Sequence, residues 1–268
     1  MTWAVHFTAL MASAGYAIAV LLLVRSLRGQ SSLERGKVWS VAVPAVLAHG
    51  VNVWLQVFTP EGIQLGVVAA SALFGFVLAA SSTAVGYFRR MEALMAPAWL
   101  MSLIFIAASA LSTDTQPAVA RLDSGLVAHI VISIIAYTLV MLAGSQAVLI
   151  MIQNRHLKQR DMHRLLKYLP PLQTMEHSLF DLVVAGWVGL TAAIGTGFLF
   201  VDDLLAQHLA HKTFFTVAAW AVFGTLLIGR LRAGWRGLTA VRWTFAGFGL
   251  LMVGYFGTQV VLQLVLAR

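Results

Sequence analysis

An all-α, polytopic bundle of membrane-spanning helices is the fold this sequence predicts, and three observations predict it. Mean hydropathy is +0.85 over the 268 residues. Hydrophobic residues make up 60% of the chain and charged ones 10%, a balance that an ordinary water-soluble core does not produce. The charges also fall in short clusters between apolar stretches, each close to the ~20 residues needed to cross a bilayer.

Eight stretches qualify, at about 3–24, 38–57, 63–88, 93–111, 125–153, 177–200, 213–229 and 240–266. The first is too long for a signal-peptide core, and no basic residue precedes it. Arg25, Arg28, Arg35 and Lys37 follow it and should hold its C-terminal end in the cytoplasm. The second carries His49, Asn52 and Gln56 as a polar stripe on an apolar helix. The third and fourth are apolar and joined through Arg89 and Arg90. The fifth opens at His129. The sixth repeats small residues at helical spacing, Gly186, Gly189, Ala193 and Gly197, the mark of close helix packing and less often of a slot for a flat ligand. The seventh opens at His211, with His208 one turn earlier in the connecting loop, and the eighth runs to the C-terminal end.

Alternating the spans places 15 of the 18 basic residues in the odd-numbered gaps on the inner side, leaving Arg121, Lys212 and Arg268 outside with Glu61, Asp114, Asp123, Asp202 and Asp203. The expected topology is N-out and C-out, in a bacterial cytoplasmic (inner) membrane. The longest polar stretch, "NRHLKQRDMHRLLKYLPPLQTMEH", is too short for a core of its own. A single transmembrane domain over 1–268 is expected.

Composition also narrows the chemistry. With no cysteine, disulfides, thiolate ligation and iron–sulfur clusters are excluded, so any metal chemistry falls to His, Met, Tyr or carboxylates. There is no G-x-S-x-G, no H-E-x-x-H and no phosphate-cradling glycine loop. A net charge of +8 sits in the connectors rather than on one face, which points to lipid headgroups and not to nucleic acid.

Topology gives each histidine a depth. His156 and His163 lie in a solvated basic loop, and His177 stands at an inner helix start. His49 falls ~17 Å above the inner boundary, near the bilayer centre, where an ionisable residue is either a functional group or an interhelical hydrogen-bond partner. His129 and His211 both open inward-going helices at the same outer depth. Two neutral imidazoles so placed could clamp a metal or a haem iron from opposite sides, or could be two unrelated interfacial residues.

The C-terminal half carries a resemblance. Gly234-Trp235-Arg236-Gly237 followed by a helix ending Gly-Tyr-Phe-Gly (Gly254 to Gly257), the histidine-led "GLVAHIVISIIAYTLVMLAGSQAVLIMIQNRHLK" from Gly125, and "MEHSLFDLVVAGWVGLTAAIGTGF" from Met175 together resemble the cytochrome c assembly (CcsA/CcmC-type) superfamily, in its YpjD/HemX-like branch. The resemblance runs from about residue 125 to the end, and the first four helices agree in layout alone. It implies that His129 occupies an external haem-ligating position and that the cofactor is non-covalent haem b. Where haem-presenting members have a tryptophan-rich segment ending in a Trp-Asp-Pro-Lys-type motif, this chain has "DDLLAQHLAHK", in which Lys212 alone matches. His211 as the second iron ligand is a physical inference, with His208 as its neighbour, Lys212 as a propionate partner and His49 as a further candidate.

The function expected is therefore haem handling by bis-histidine ligation near the outer leaflet. The partners expected are the lipid bilayer, haem and other membrane or haem-pathway proteins. With both axial positions filled, the protein is expected to be no enzyme. The alternatives are a transporter of an ion or small solute built around His49, and a membrane scaffold or regulator without bound haem.

Overall fold

The computed structural model describes residues 2–27, 35–60, 62–63, 67–89, 95–111, 124–158, 170–200 and 207–254. They form an all-α protein of eight helices: α1 (Thr2–Leu27), α2 (Arg35–Val57), α3 (Val67–Arg89), α4 (Met95–Leu111), α5 (Ser124–Lys158), α6 (Leu172–Phe200), α7 (Gln207–Ala233) and α8 (Leu238–Met252). A two-residue hairpin, β1 (Phe58–Thr59) with β2 (Gly62–Ile63), follows α2.

Six of the helices, α1, α2, α3, α5, α6 and α7, are long and apolar enough to cross a membrane. The other two are apolar but shorter: Met95–Ala110 in α4, and α8. The eighth expected span continues past Gly254 into residues outside the described set, as does the basic stretch containing His163.

The helices group into two compact units, residues 1–121 with 153–171, and residues 122–152 with 172–268. The second nearly coincides with the stretch whose motifs carry the family resemblance.

In the first unit α1 packs on α2 and α4, and α3 packs on the same two, so the four close into a ring. Its core holds Tyr16, Leu23, Met95, Trp99 and Ile106, all fully or almost fully buried. Small residues permit the close approaches: a Cβ on Gly15 would stand 2.5 Å from that of Ala45, and Gly86 lies directly under the Met95 side chain. Trp99 satisfies its indole N–H by donating to Thr83 Oγ1 at 2.9 Å, as a buried tryptophan must.

In the second unit the small-residue stripe of α6 is consumed by packing. Cβ atoms built on Gly186 and Gly189 would lie 3.0 Å from Val140 Cγ2 and from Ala136 Cβ, while Gly125 of α5 lies under the Phe200 ring. These pairs run in opposite directions along the two helices, so α5 and α6 form one antiparallel seam. Trp187 and Trp220 stack across α6 and α7 with centroids 5.5 Å apart. Trp187 donates to the Trp220 carbonyl and Trp220 to Thr191 Oγ1.

The Gly-Trp-Arg-Gly motif is the α7–α8 turn. Gly234 and Gly237 have φ of 65° and 60°, a region that side chains disfavour. Trp235 folds back over Gly229 and stacks on Trp243.

Candidate functional site

The seam between α5 and α6 sets the geometry around His129. Ala136 meets Gly189 and Val140 meets Gly186; continuing the same register toward the start of α5 brings His129 opposite Thr196. Its Nδ1 lies 3.1 Å from Thr196 Oγ1. The Thr196 hydroxyl also donates back into its own helix, to the carbonyls of Ala192 at 2.8 Å and Ala193 at 3.1 Å. His129 is partly buried. Nε2 takes no part in the Thr196 contact.

Helix α7 approaches an adjacent side of α5, ~80° around the helix from His129. Tyr137 Oη and Thr216 Oγ1 are 3.1 Å apart, and the Thr216 hydroxyl donates to the Lys212 carbonyl at 2.8 Å. Lys212 and Thr216 are four residues apart, within ~40° on the helix surface, so Lys212 shares the side turned to α5. His211 is ~140° from Thr216 and is exposed. Among the described residues no hydrogen bond or ring contact joins it to His129.

His208 needs a correction of place. The sequence puts it in a loop before the seventh helix, whereas α7 already begins at Gln207. Gln, Leu and Ala are good helix formers, so the helix continues past the point where apolarity stops. The His208 side chain lies outside the described residues. His177 is an exposed residue inside α6 rather than at its start, because that helix begins at Leu172.

In the first unit His49 is 0% exposed. Its Nδ1 is 3.0 Å from Tyr16 Oη of α1, and its ring sits edge-on to Phe76 of α3. Gly75 makes room for it: a Cβ there would be 3.1 Å from His49 Cε1. Nε2 is buried and makes no hydrogen bond among the described residues. Further along α2, Asn52 donates to the Val5 carbonyl and to Thr8 Oγ1, and Gln56 donates to Asn52 Oδ1 at 2.6 Å. The polar stripe of α2 is thus bonded into α1 and into itself.

The partners Tyr16, Thr196 and Thr216 had no signal in the sequence, because each is a lone hydroxyl on a different helix from the residue it meets.

Comparison with known proteins decides the relationship. The sequence pattern of the family described as "Cytochrome C assembly protein" matches residues 60–266, well beyond the stretch from 125 in which its motifs can be picked out by eye. The chain belongs to the cytochrome c assembly protein family. It is 25% identical over 259 residues to "Inner membrane protein YpjD" of Escherichia coli (strain K12), covering 96% of this chain and 98% of that protein. It is 30% identical over 191 residues to an "Uncharacterized 28.8 kDa protein in nifR3-like 5'region" of Azospirillum brasilense, covering 67% and 70%. No solved structure matches. The six apolar spans and the relationship to an inner membrane protein make this family member a multi-pass protein of the inner membrane.

Proposed function

We propose that the protein binds haem b non-covalently through Nε2 of His129, near the outer leaflet, and handles haem in cytochrome maturation or haem homeostasis rather than turning over a substrate. The observation that carries this reading is the His129–Thr196 contact, which commits one ring nitrogen of a partly buried imidazole and leaves the other over, in a chain of the cytochrome c assembly family.

The donor set fits haem better than a bare ion. Among the described residues no three His, Cys, Asp or Glu gather into a metal-binding group. An iron already held by four porphyrin nitrogens asks the protein for axial ligands only. Exposed apolar side chains near this end of the second unit, Val127 and Val131 on α5 and Phe214 on α7, suit a flat macrocycle. Bound haem would supply an iron with a redox couple, and the part of His129, His211 and Lys212 would be to hold and orient it.

His211 is the proposed opposing ligand, reaching the site from the exposed side of α7, and Lys212, already on the α5-facing side, is the proposed partner of a propionate. The N-out, C-out orientation belongs to this reading, since it puts the His129 end of α5 outside. Reporter tags in 159–169 are expected to be protected from external reagents and tags at both termini accessible.

The test is the spectrum of purified protein loaded with haemin. Wild type is expected to be low-spin and six-coordinate, His211→Ala high-spin and His129→Ala high-spin or largely empty, with His208→Ala unchanged. Wild-type protein that takes up no haemin would overturn the reading. The transporter alternative gains little from His49, because the α2 polar stripe is internally bonded and reads as a pin between α1 and α2.

A further inference from the structure

We infer that His129 and His49 are held in opposite neutral tautomers, and that Thr196, by accepting a proton from His129 Nδ1, is the positioning residue that leaves Nε2 as a bare, iron-ready lone pair. What that lone pair is used for rests on the haem reading above; the tautomers do not.

The argument is a count of protons. A threonine hydroxyl has one proton and two lone pairs. The Thr196 proton is engaged by the backbone carbonyls of Ala192 and Ala193, the usual back-bond of a threonine inside a helix. What Oγ1 offers His129 is therefore a lone pair, and the hydrogen in the 3.1 Å contact must come from Nδ1. A neutral imidazole protonated at Nδ1 is unprotonated at Nε2.

At His49 the same count gives the opposite result. Among the described residues the Tyr16 hydroxyl has no other hydrogen-bond partner, so it donates to His49 Nδ1. The ring proton then sits on Nε2, which is buried and makes no hydrogen bond of its own. Reversing the assignment would leave two buried groups unpaired, the phenolic proton and the Nε2 lone pair, in place of the Nε2 proton alone, an added cost in a membrane interior. His49 therefore has no lone pair to give a metal, and its Nε2 is buried.

The experiment is nitrogen-15 NMR of histidine-labelled, full-length, haem-free protein in lipid nanodiscs, with His129→Gln and His49→Gln difference spectra giving the assignments. The expected result is a pyrrole-type Nδ1 and pyridine-type Nε2 at His129, and the reverse at His49. Thr196→Val, which keeps the shape and removes the acceptor, should move His129 toward the other tautomer, and Thr196→Ser should restore it. In parallel haemin titrations Thr196→Val should bind roughly 10–100-fold more weakly, the usual loss on removing an outer-shell partner of a ligating histidine, with Thr196→Ser near wild type. An Nε2-protonated His129 in the wild type, or a Thr196→Val protein with unchanged tautomer, overturns the inference. The inferred tautomers in a protein that binds no haemin overturn only the haem reading.

Discussion

His49 and His129 are the same side chain, in the same protein, each touching through Nδ1 a hydroxyl on a neighbouring helix, at 3.0 and 3.1 Å. They differ in what else that hydroxyl does. The Tyr16 hydroxyl is at the tip of a fully buried ring and has its proton to give; the Thr196 hydroxyl has spent its proton on its own helix. The first arrangement makes a pin between α1 and α2, and the second leaves a basic nitrogen. Burial reinforces the difference, because His49 is sealed while His129 is only partly covered. A histidine in a membrane span is thus neither a ligand nor a strut by position alone; its hydrogen-bond partner decides.

The sharpest way to break the comparison is to disturb the seam that sets His129 opposite Thr196. At Gly189 a Cβ would lie 3.0 Å from Ala136 Cβ and 3.1 Å from its Cα, so Gly189→Val must push α5 off α6. It is expected to cost about 1–3 kcal/mol, as overpacking does, and to abolish haem retention, measured by thermal unfolding and by the haemin-loaded spectrum. Tyr16→Phe sharpens the contrast from the other side. It strips His49 of its one good hydrogen bond and should cost about 1–3 kcal/mol, with the haem spectrum unchanged; a lost spectrum would mean that the two sites are not distinct. Smaller still is Lys212→Ala, expected to weaken haem retention about tenfold at most, roughly 1.4 kcal/mol, without changing spin state, read by competition with apomyoglobin.

Much of this was legible in the sequence. Hydropathy found all eight helices, and the glycine stripe of α6 proved to be a packing surface, as small residues at that spacing usually are. Helix ends were less legible: hydropathy marks where apolarity stops, while α5 continues to Lys158 and α7 starts at Gln207 because helix formers carry the backbone on. The side of α7 facing α5 was also hidden. Lys212 and His211 are adjacent in sequence, and only the Tyr137–Thr216 contact reveals that Lys212 is the one turned toward α5. Thr196 could not be singled out among the threonines of the spans, since nothing local distinguishes a hydroxyl that also meets a histidine from one bonded to its own helix alone.

The most direct test of the central claim, that His129 and not His49 offers iron a nitrogen, is a side-by-side haemin titration of His129→Ala and His49→Ala, with circular dichroism verifying that both remain helical. The account predicts that His49→Ala binds haemin with wild-type affinity and spectrum despite its lower stability, and that His129→Ala binds on the order of 100-fold more weakly, ~2.7 kcal/mol. Haem binding retained by His129→Ala and lost by His49→Ala would contradict it.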